Sequence, residues 1–203
     1  VDSFYFVLAL LSWLRIPMRD VYPRLLSREA KAGRLEFIRE MKETIRLLGN
    51  HPSIAAWVIF NEGWGQFQTE DMTRIVRRLD PNRLIDQASG WFDQGGGDFS
   101  SLHNYFFKLF IRPERERASV LSEFGGYSYR EPGHCAKEKL YGYGICKNKK
   151  DLEKRFLERW QGVRNLIPQG LSASIYTQWT DVEEEVNGVF TYDREVRKIE
   201  PFQ

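Results

Sequence analysis

Two apolar runs in this chain end in the same abrupt way. Residues 54–60 are uninterruptedly apolar or small apart from the Ser53 that precedes them, and they stop at Asn61-Glu62-Gly63. Val120-Leu121 stops at Ser122-Glu123-Phe124-Gly125-Gly126. Continuous rather than alternating runs predict strands buried on both faces. A carboxylate is costly to bury without a partner, so each glutamate is expected at its strand's end, facing a cleft. Helical spacing fills the intervals. Leu35, Ile38, Met41, Ile45 and Leu48 predict a helix over 28–48, stopped by Gly49-Asn50. Met72, Ile75, Val76 and Leu79 predict a second, with the Thr69 hydroxyl as its N-cap before Glu70 and Asp71. Leu152, Phe156, Leu157, Trp160, Val163 and Leu166 predict a third over 151–166. Further strands are expected over 83–86, 99–105, 119–122 and 172–178, with 7–16 as a sixth.

This alternation of strand and helix predicts an α/β fold with a parallel sheet and helical crossovers. The strand count alone fits an open doubly wound sheet, since a complete eight-stranded barrel takes about 250 residues. The stretch 125–150 is long for a plain connection and is expected to be a lid, ordered by its aromatics. Gly95-Gly96-Gly97 has no helix behind it, which excludes a phosphate cradle. The opening run 4–14 lacks a basic flank and follows Asp2, so it is expected to be buried structure and not a leader.

Composition narrows the chemistry. The net charge is +2 with both signs interspersed, which predicts neither nucleic acid nor a membrane surface as partner. Cys135 and Cys146 are too few for a disulfide framework; reduced thiols point to a cytoplasmic setting, with one loop-closing bridge as the alternative. Three histidines and no clustered ligand spacing argue against a metal, and no cofactor is expected. Six tryptophans serve either a large core or a cleft that stacks on sugars. Two carboxylates on two strand ends are the minimum equipment for hydrolysing a glycosidic bond.

Asn61-Glu62-Gly63 and Ser122-Glu123-Phe124-Gly125-Gly126 resemble the catalytic motifs of glycoside hydrolase family 2, the β-galactosidases, β-glucuronidases and β-mannosidases. The likeness extends, in order, through His51-Pro52-Ser53-Ile54, Asp80-Pro81-Asn82-Arg83, Ala88-Ser89-Gly90-Trp91, His103-Asn104-Tyr105, Tyr176-Thr177-Gln178-Trp179-Thr180-Asp181 and Asn187-Gly188. It implies a partial (β/α)8 TIM barrel comprising about strands 3 to 8, a single catalytic-domain fragment over 1–203. The first strands and the sandwich domains of such enzymes are not expected within it. Glu62 then follows the fourth barrel strand and Glu123 ends the seventh. The stretch between them holds two βα units at about 30 residues each, independent of the resemblance.

The resemblance also implies roles. Glu123 is the nucleophile of a retaining double displacement, and Glu62 the general acid and then base, so Glu62 must carry a proton at the working pH. Asn61 donates to the sugar 2-hydroxyl, Tyr105 hydrogen-bonds the nucleophile, and Trp179 is the platform on which the sugar stacks. His103 shares a face with Tyr105 and is either a cleft residue or a core histidine. Trp64 and Trp91 are candidates for the outer walls. Asp181 with Glu183-Glu184-Glu185 is expected to be a solvated turn, with a reach from Asp181 to a sugar hydroxyl as the alternative. The Asn-x-Lys pair that holds a glucuronide carboxylate is missing, because Asn187 is followed by Gly188 and Val189. The substrate is therefore expected to be a neutral β-glycoside, a galactoside first. The partners are carbohydrate and either a second copy or N-terminal domains. The rival expectation is a catalytically silent fragment that at most binds sugar or another chain.

Overall fold

The computed structural model describes residues 10–11, 18–22 and 28–200. Of the stretch 7–16 only residues 10 and 11 are described, both helical; the strand expected there and the rest of the opening run lie outside the described residues. Main elements follow in the order α1 (Lys31–Leu48), β1 (Ala56–Asn61), α2 (Thr69–Leu79), β2 (Leu84–Ser89), β3 (Phe99–Asn104) and β4 (Ala118–Gly125). Then come β5 (Tyr127–Ser128), β6 (Gly144–Ile145), α3 (Lys149–Leu166), a 3-10 turn (Ile167–Gln169) and β7 (Leu171–Thr177). They form two compact units, one from Leu8–Leu102 and Arg112–Val120, the other from His103–Ile111 and Leu121–Gln203. β3, β4 and β7 make a three-stranded sheet in that order.

The first unit is a βαβ arrangement. β1 and β2 pair in parallel, from Ala56 opposite Leu84 to Asn61 opposite Ser89. Helix α2 connects them, and Ile45, Val76 and Ile85 form one core cluster with Met41, Trp57, Ile59 and Leu79 packed around it. Phe60, Phe67 and Met72 form a second, closed by Phe37, Ile38 and Ile75. Phe37 stacks on Phe60 at 5.1 Å between ring centroids. The α1 stripe is rotated from the expected one: Phe37 is in it, whereas Leu35 is exposed and Leu48, in the last turn, partly so. Spacing alone cannot choose between residues on the two opposite edges of a stripe.

Thr69 is not the N-cap of α2. Gln68 occupies that position with a left-handed backbone, and Thr69 is the first helical residue. The buried Asp20 carboxylate caps the helix instead, accepting from the Thr69 amide at 2.9 Å, from the Thr69 hydroxyl, and from Gln66 Nε2 at 3.2 Å. An anion at a helix N-terminus satisfies orphan amides and complements the dipole, whichever part of the chain supplies it.

Two segments that looked diagnostic in the sequence turn out to be fastened together. Arg83 donates from Nε to the Ile54 carbonyl and from a terminal nitrogen to the His51 carbonyl, both at 2.8 Å. Its other terminal nitrogen meets Asp80 at 2.8 Å, and Asp80 also accepts the Trp57 indole N–H at 2.9 Å. One arginine thus joins the turn before β2 to the turn before β1. The Trp57 indole, followed by Arg83, holds the Asp80 carboxyl below its ordinary 3.8.

In the second unit α3 packs Leu152 and Phe156 with Cys146 and Ile199, and Tyr176 of β7 borders this cluster. Phe156 meets the Tyr176 ring edge-on at 4.8 Å. The helix begins two residues before the expected start, because Asn148 caps it by accepting the Asp151 amide at 2.9 Å. Within 125–150, β5 and β6 pair in parallel, and the Ser128 carbonyl accepts the Cys146 amide at 2.7 Å.

Because folding lowers the proton affinity of Asp80, its contribution is fully present above the unfolded value near 3.8 and is lost as pH falls through the lower folded value. The stability deficit of Asp80→Asn in urea unfolding should be constant from about pH 7 to pH 5 and shrink below the ordinary carboxylate range. A deficit independent of pH would disprove the assignment.

Candidate active site

β1 delivers Glu62 to a strained turn in the first unit. The strand ends at Asn61, and the Glu62 amide extends the ladder by one bond, donating to the Ser89 carbonyl at 2.9 Å. Glu62 is buried at 6% exposure and has a left-handed backbone, φ 52°. A non-glycine residue in this region costs about 1–3 kcal/mol and is held only where its surroundings over-determine it. Gly63 follows at φ 73°, and a Cβ there would stand 2.2 Å from the Phe92 ring. Trp64 is 41% exposed and its amide closes the turn onto the Asn61 carbonyl at 3.2 Å; Asn61 is itself exposed. Trp91 is a core residue, which corrects its reading as an outer wall.

In the second unit Glu123 lies on β4 with its side chain 30% exposed. The Tyr105 hydroxyl donates to the Glu123 carboxylate and also sits 3.2 Å from the Thr177 hydroxyl of β7. His103 Nδ1 is 3.4 Å from the same Glu123 oxygen, on a fully buried side chain. His103 and Tyr105 therefore converge on Glu123, as alternation along a strand predicts. Burial, with the Glu123 charge beside it, pushes the Tyr105 phenol far above its ordinary value, so the proton in this contact stays on the tyrosine. Thr177 carried no chemical signal in the sequence.

Beyond β7, Trp179 is 67% exposed, with its ring 5.0 Å from that of Phe190. Glu185 accepts from Gln178 Nε2 at 3.2 Å, and burial, reinforced by the charge of Glu123, pushes its carboxyl up. Asp181 is not in a solvated turn. It is buried against Lys198 at 2.6 Å, with side-chain exposures of 1% and 0%. Lys198 also donates to the Val186 and Tyr129 carbonyls at 2.8 and 3.1 Å, and Asp181 accepts the Gly188 amide at 2.8 Å. Burial pushes the carboxyl up and the ammonium down, and the contact between them offsets both. Glu183 and Glu184 are paired with Lys137 at the surface. Cys135 and Cys146 are free. His134, Asp193 and Glu195 bring donor atoms within 4.8 Å of one another on the exposed side of this unit, where His134 and Asp193 already form an ion pair at 2.7 Å. No described helix is long and apolar enough to cross a membrane.

Residues 24–123 match the family described as "Glycosyl hydrolases family 2, TIM barrel domain". Both Glu62 and Glu123 fall within the match, and the family read from the motifs is the one found. No curated protein matches the chain. Among solved structures it is similar to a β-D-glucuronidase from Dictyoglomus thermophilum, with TM-score 0.55 and 17% identity over 79% of this chain and 33% of that one. It is also similar to a β-glucuronidase from Faecalibacterium prausnitzii, with TM-score 0.53 and 12% identity over 80% of this chain and 32% of the other. These likenesses concern the fold: an α/β arrangement with parallel strands, as in a family 2 barrel. The chain spans about a third of the length of these structures.

Removing one member of a buried ion pair costs about 3–5 kcal/mol, whereas replacing both is far milder. Lys198→Met should lower unfolding stability by about that much, and Lys198→Met with Asp181→Leu should recover most of it. Equal losses in the single and double variants would show that the pair is not what holds this loop.

Proposed function

We propose, from the family 2 match over residues 24–123, that this chain carries the catalytic residues of a retaining β-glycosidase. In this reading β1, β2, β3, β4 and β7 are the fourth to eighth barrel strands. Glu123 attacks the anomeric carbon to form a glycosyl-enzyme, while Glu62 gives its proton to the departing oxygen. Glu62 then takes a proton from the water that releases the sugar. The observation that carries the reading is the donation of the Tyr105 phenol to Glu123 at a strand that the motif singled out. A charge-assisted donor orients the carboxylate and steadies it when it is regenerated. Asn61 is assigned to the sugar 2-hydroxyl, Trp179 to the stacking platform, and His103 and Trp64 to substrate contacts.

The substrate proposed is a neutral β-hexoside, a galactoside first. Asn187 has Gly188 and Val189 after it, so the lysine of an Asn-x-Lys pair is missing at that position. Glu185 adds a second carboxylate within the electrostatic reach of Glu123, which is unfavourable to a uronate. The similar solved structures are glucuronidases, and that activity is theirs.

A panel of nitrophenyl β-glycosides tests this with the purified protein. Glu123→Gln should lose at least about 10⁴-fold in kcat. Glu62→Gln should lose about 10² to 10⁴, less for nitrophenolate, which departs without a proton, than for an alkoxide. Galactoside should exceed glucuronide in kcat/KM. Full turnover by Glu123→Gln, or none by the unaltered protein on any member of the panel, would sink the reading.

A further inference from the structure

We propose that Tyr143 is a positioning residue for Glu123, acting through Tyr105; the inference rests on the reading of Glu123 as nucleophile. Tyr143 lies between β5 and β6, in a segment whose sequence gave no hint of a role beyond its aromatics. Its ring is stacked on that of Tyr105, with centroids 3.7 Å apart and planes within 7°. Phe106 packs edge-on against the same ring at 5.5 Å, and Tyr141 at 6.1 Å.

The backbone is built to permit this approach. The Tyr143 amide donates to the Gly126 carbonyl at 3.3 Å, which ties the segment to the end of the strand that carries Glu123. Gly126 has φ +67°, and a Cβ there would meet the Tyr143 ring at 2.6 Å and the Tyr105 ring at 3.1 Å. Only glycine leaves room for both rings. Arg159 of α3 secures the main chain, donating to the Tyr105 carbonyl at 3.1 Å, to the Phe107 carbonyl at 2.6 Å and to the Tyr127 hydroxyl at 2.7 Å. Tyr105 is thereby held at its backbone by a helix and at its ring by Tyr143. Its hydroxyl is left aimed at Glu123 and Thr177. A phenol without the stack can turn about its side-chain torsions and exchange its acceptor for water.

The test separates the ring from the hydroxyl of Tyr143 and does not depend on turnover alone. Tyr143→Leu, Tyr143→Phe and Tyr105→Phe are compared after circular dichroism confirms folding, with Tyr143→Met as a second variant that keeps bulk without a flat face. With tyrosine labelled with carbon-13 at Cζ, the Tyr105 signal is identified by its loss in Tyr105→Phe. In Tyr143→Leu it should move toward its position in Glu123→Gln, where the carboxylate acceptor is gone; in Tyr143→Phe it should stay in place. On the best glycoside, Tyr143→Leu should lose about tenfold in kcat with KM within about twofold, the scale of one weakened charged hydrogen bond. Tyr143→Phe should restore kcat. An unmoved Tyr105 signal in folded Tyr143→Leu or Tyr143→Met overturns the proposal, as does a Tyr143→Phe protein as impaired as Tyr143→Leu. Absence of turnover in the unaltered protein, with the signal shifts as expected, would sink the glycosidase reading and leave the clamp standing.

Discussion

The Tyr105 hydroxyl donating to Glu123 is one instance of the constraint that organises this chain: a carboxylate among apolar elements must be given donors. In the first unit Asp20 takes its donors from the start of α2, and Asp80 from Trp57 and Arg83. Asp98 accepts from Arg77 at 2.6 Å and from the Ile85 amide at 2.7 Å. In the second unit Asp181 is closed in by Lys198 and the Gly188 amide. Apart from Arg83, which shares a turn with Asp80, the donors come from other segments of the chain, so satisfying the acid also fixes where those segments lie.

Local backbone and site chemistry are joined at Glu62. Its left-handed conformation and the glycine behind it turn the chain sharply at the end of β1, and the turn is what lets a glutamate leave an apolar strand. Glu123 is handled differently. It remains on its strand, and the fold brings His103 of β3 and Tyr105 just beyond it to the carboxylate, with Thr177 of β7 against the Tyr105 hydroxyl. One acid is placed by backbone geometry and the other by side-chain partners.

The fastening of His51 and Ile54 by Arg83 separates two meanings that a motif can have. Both segments helped to identify the family, yet their side chains and carbonyls fasten two helix-to-strand connections together. Asn61-Glu62 and Ser122-Glu123 carry the chemistry. The same distinction applies to the tryptophans: Trp91 is core and Trp179 is exposed, although both stood in segments of equal diagnostic value.

The periodic elements and the two acids were legible in the residues alone, although only Glu62 stands at its strand's end, Glu123 lying inside β4. Helices α1, α2 and α3 and strands β1, β2, β3, β4 and β7 could be read because their apolar spacing is a local property of consecutive residues. Contacts between distant residues emerged only with the folded chain. The cap of α2 comes from Asp20, 49 positions before Thr69, so Thr69 read falsely as its own cap. Asp181 looked solvated because its partner, Lys198, is 17 positions on in a polar stretch. The paired dipeptides β5 and β6 are too short to show a period, and the Tyr143 stack they deliver was invisible with them. Periodicity records which face of an element is buried; hydrogen bonds and ring contacts between elements depend on where the chain returns, and no local pattern encodes that.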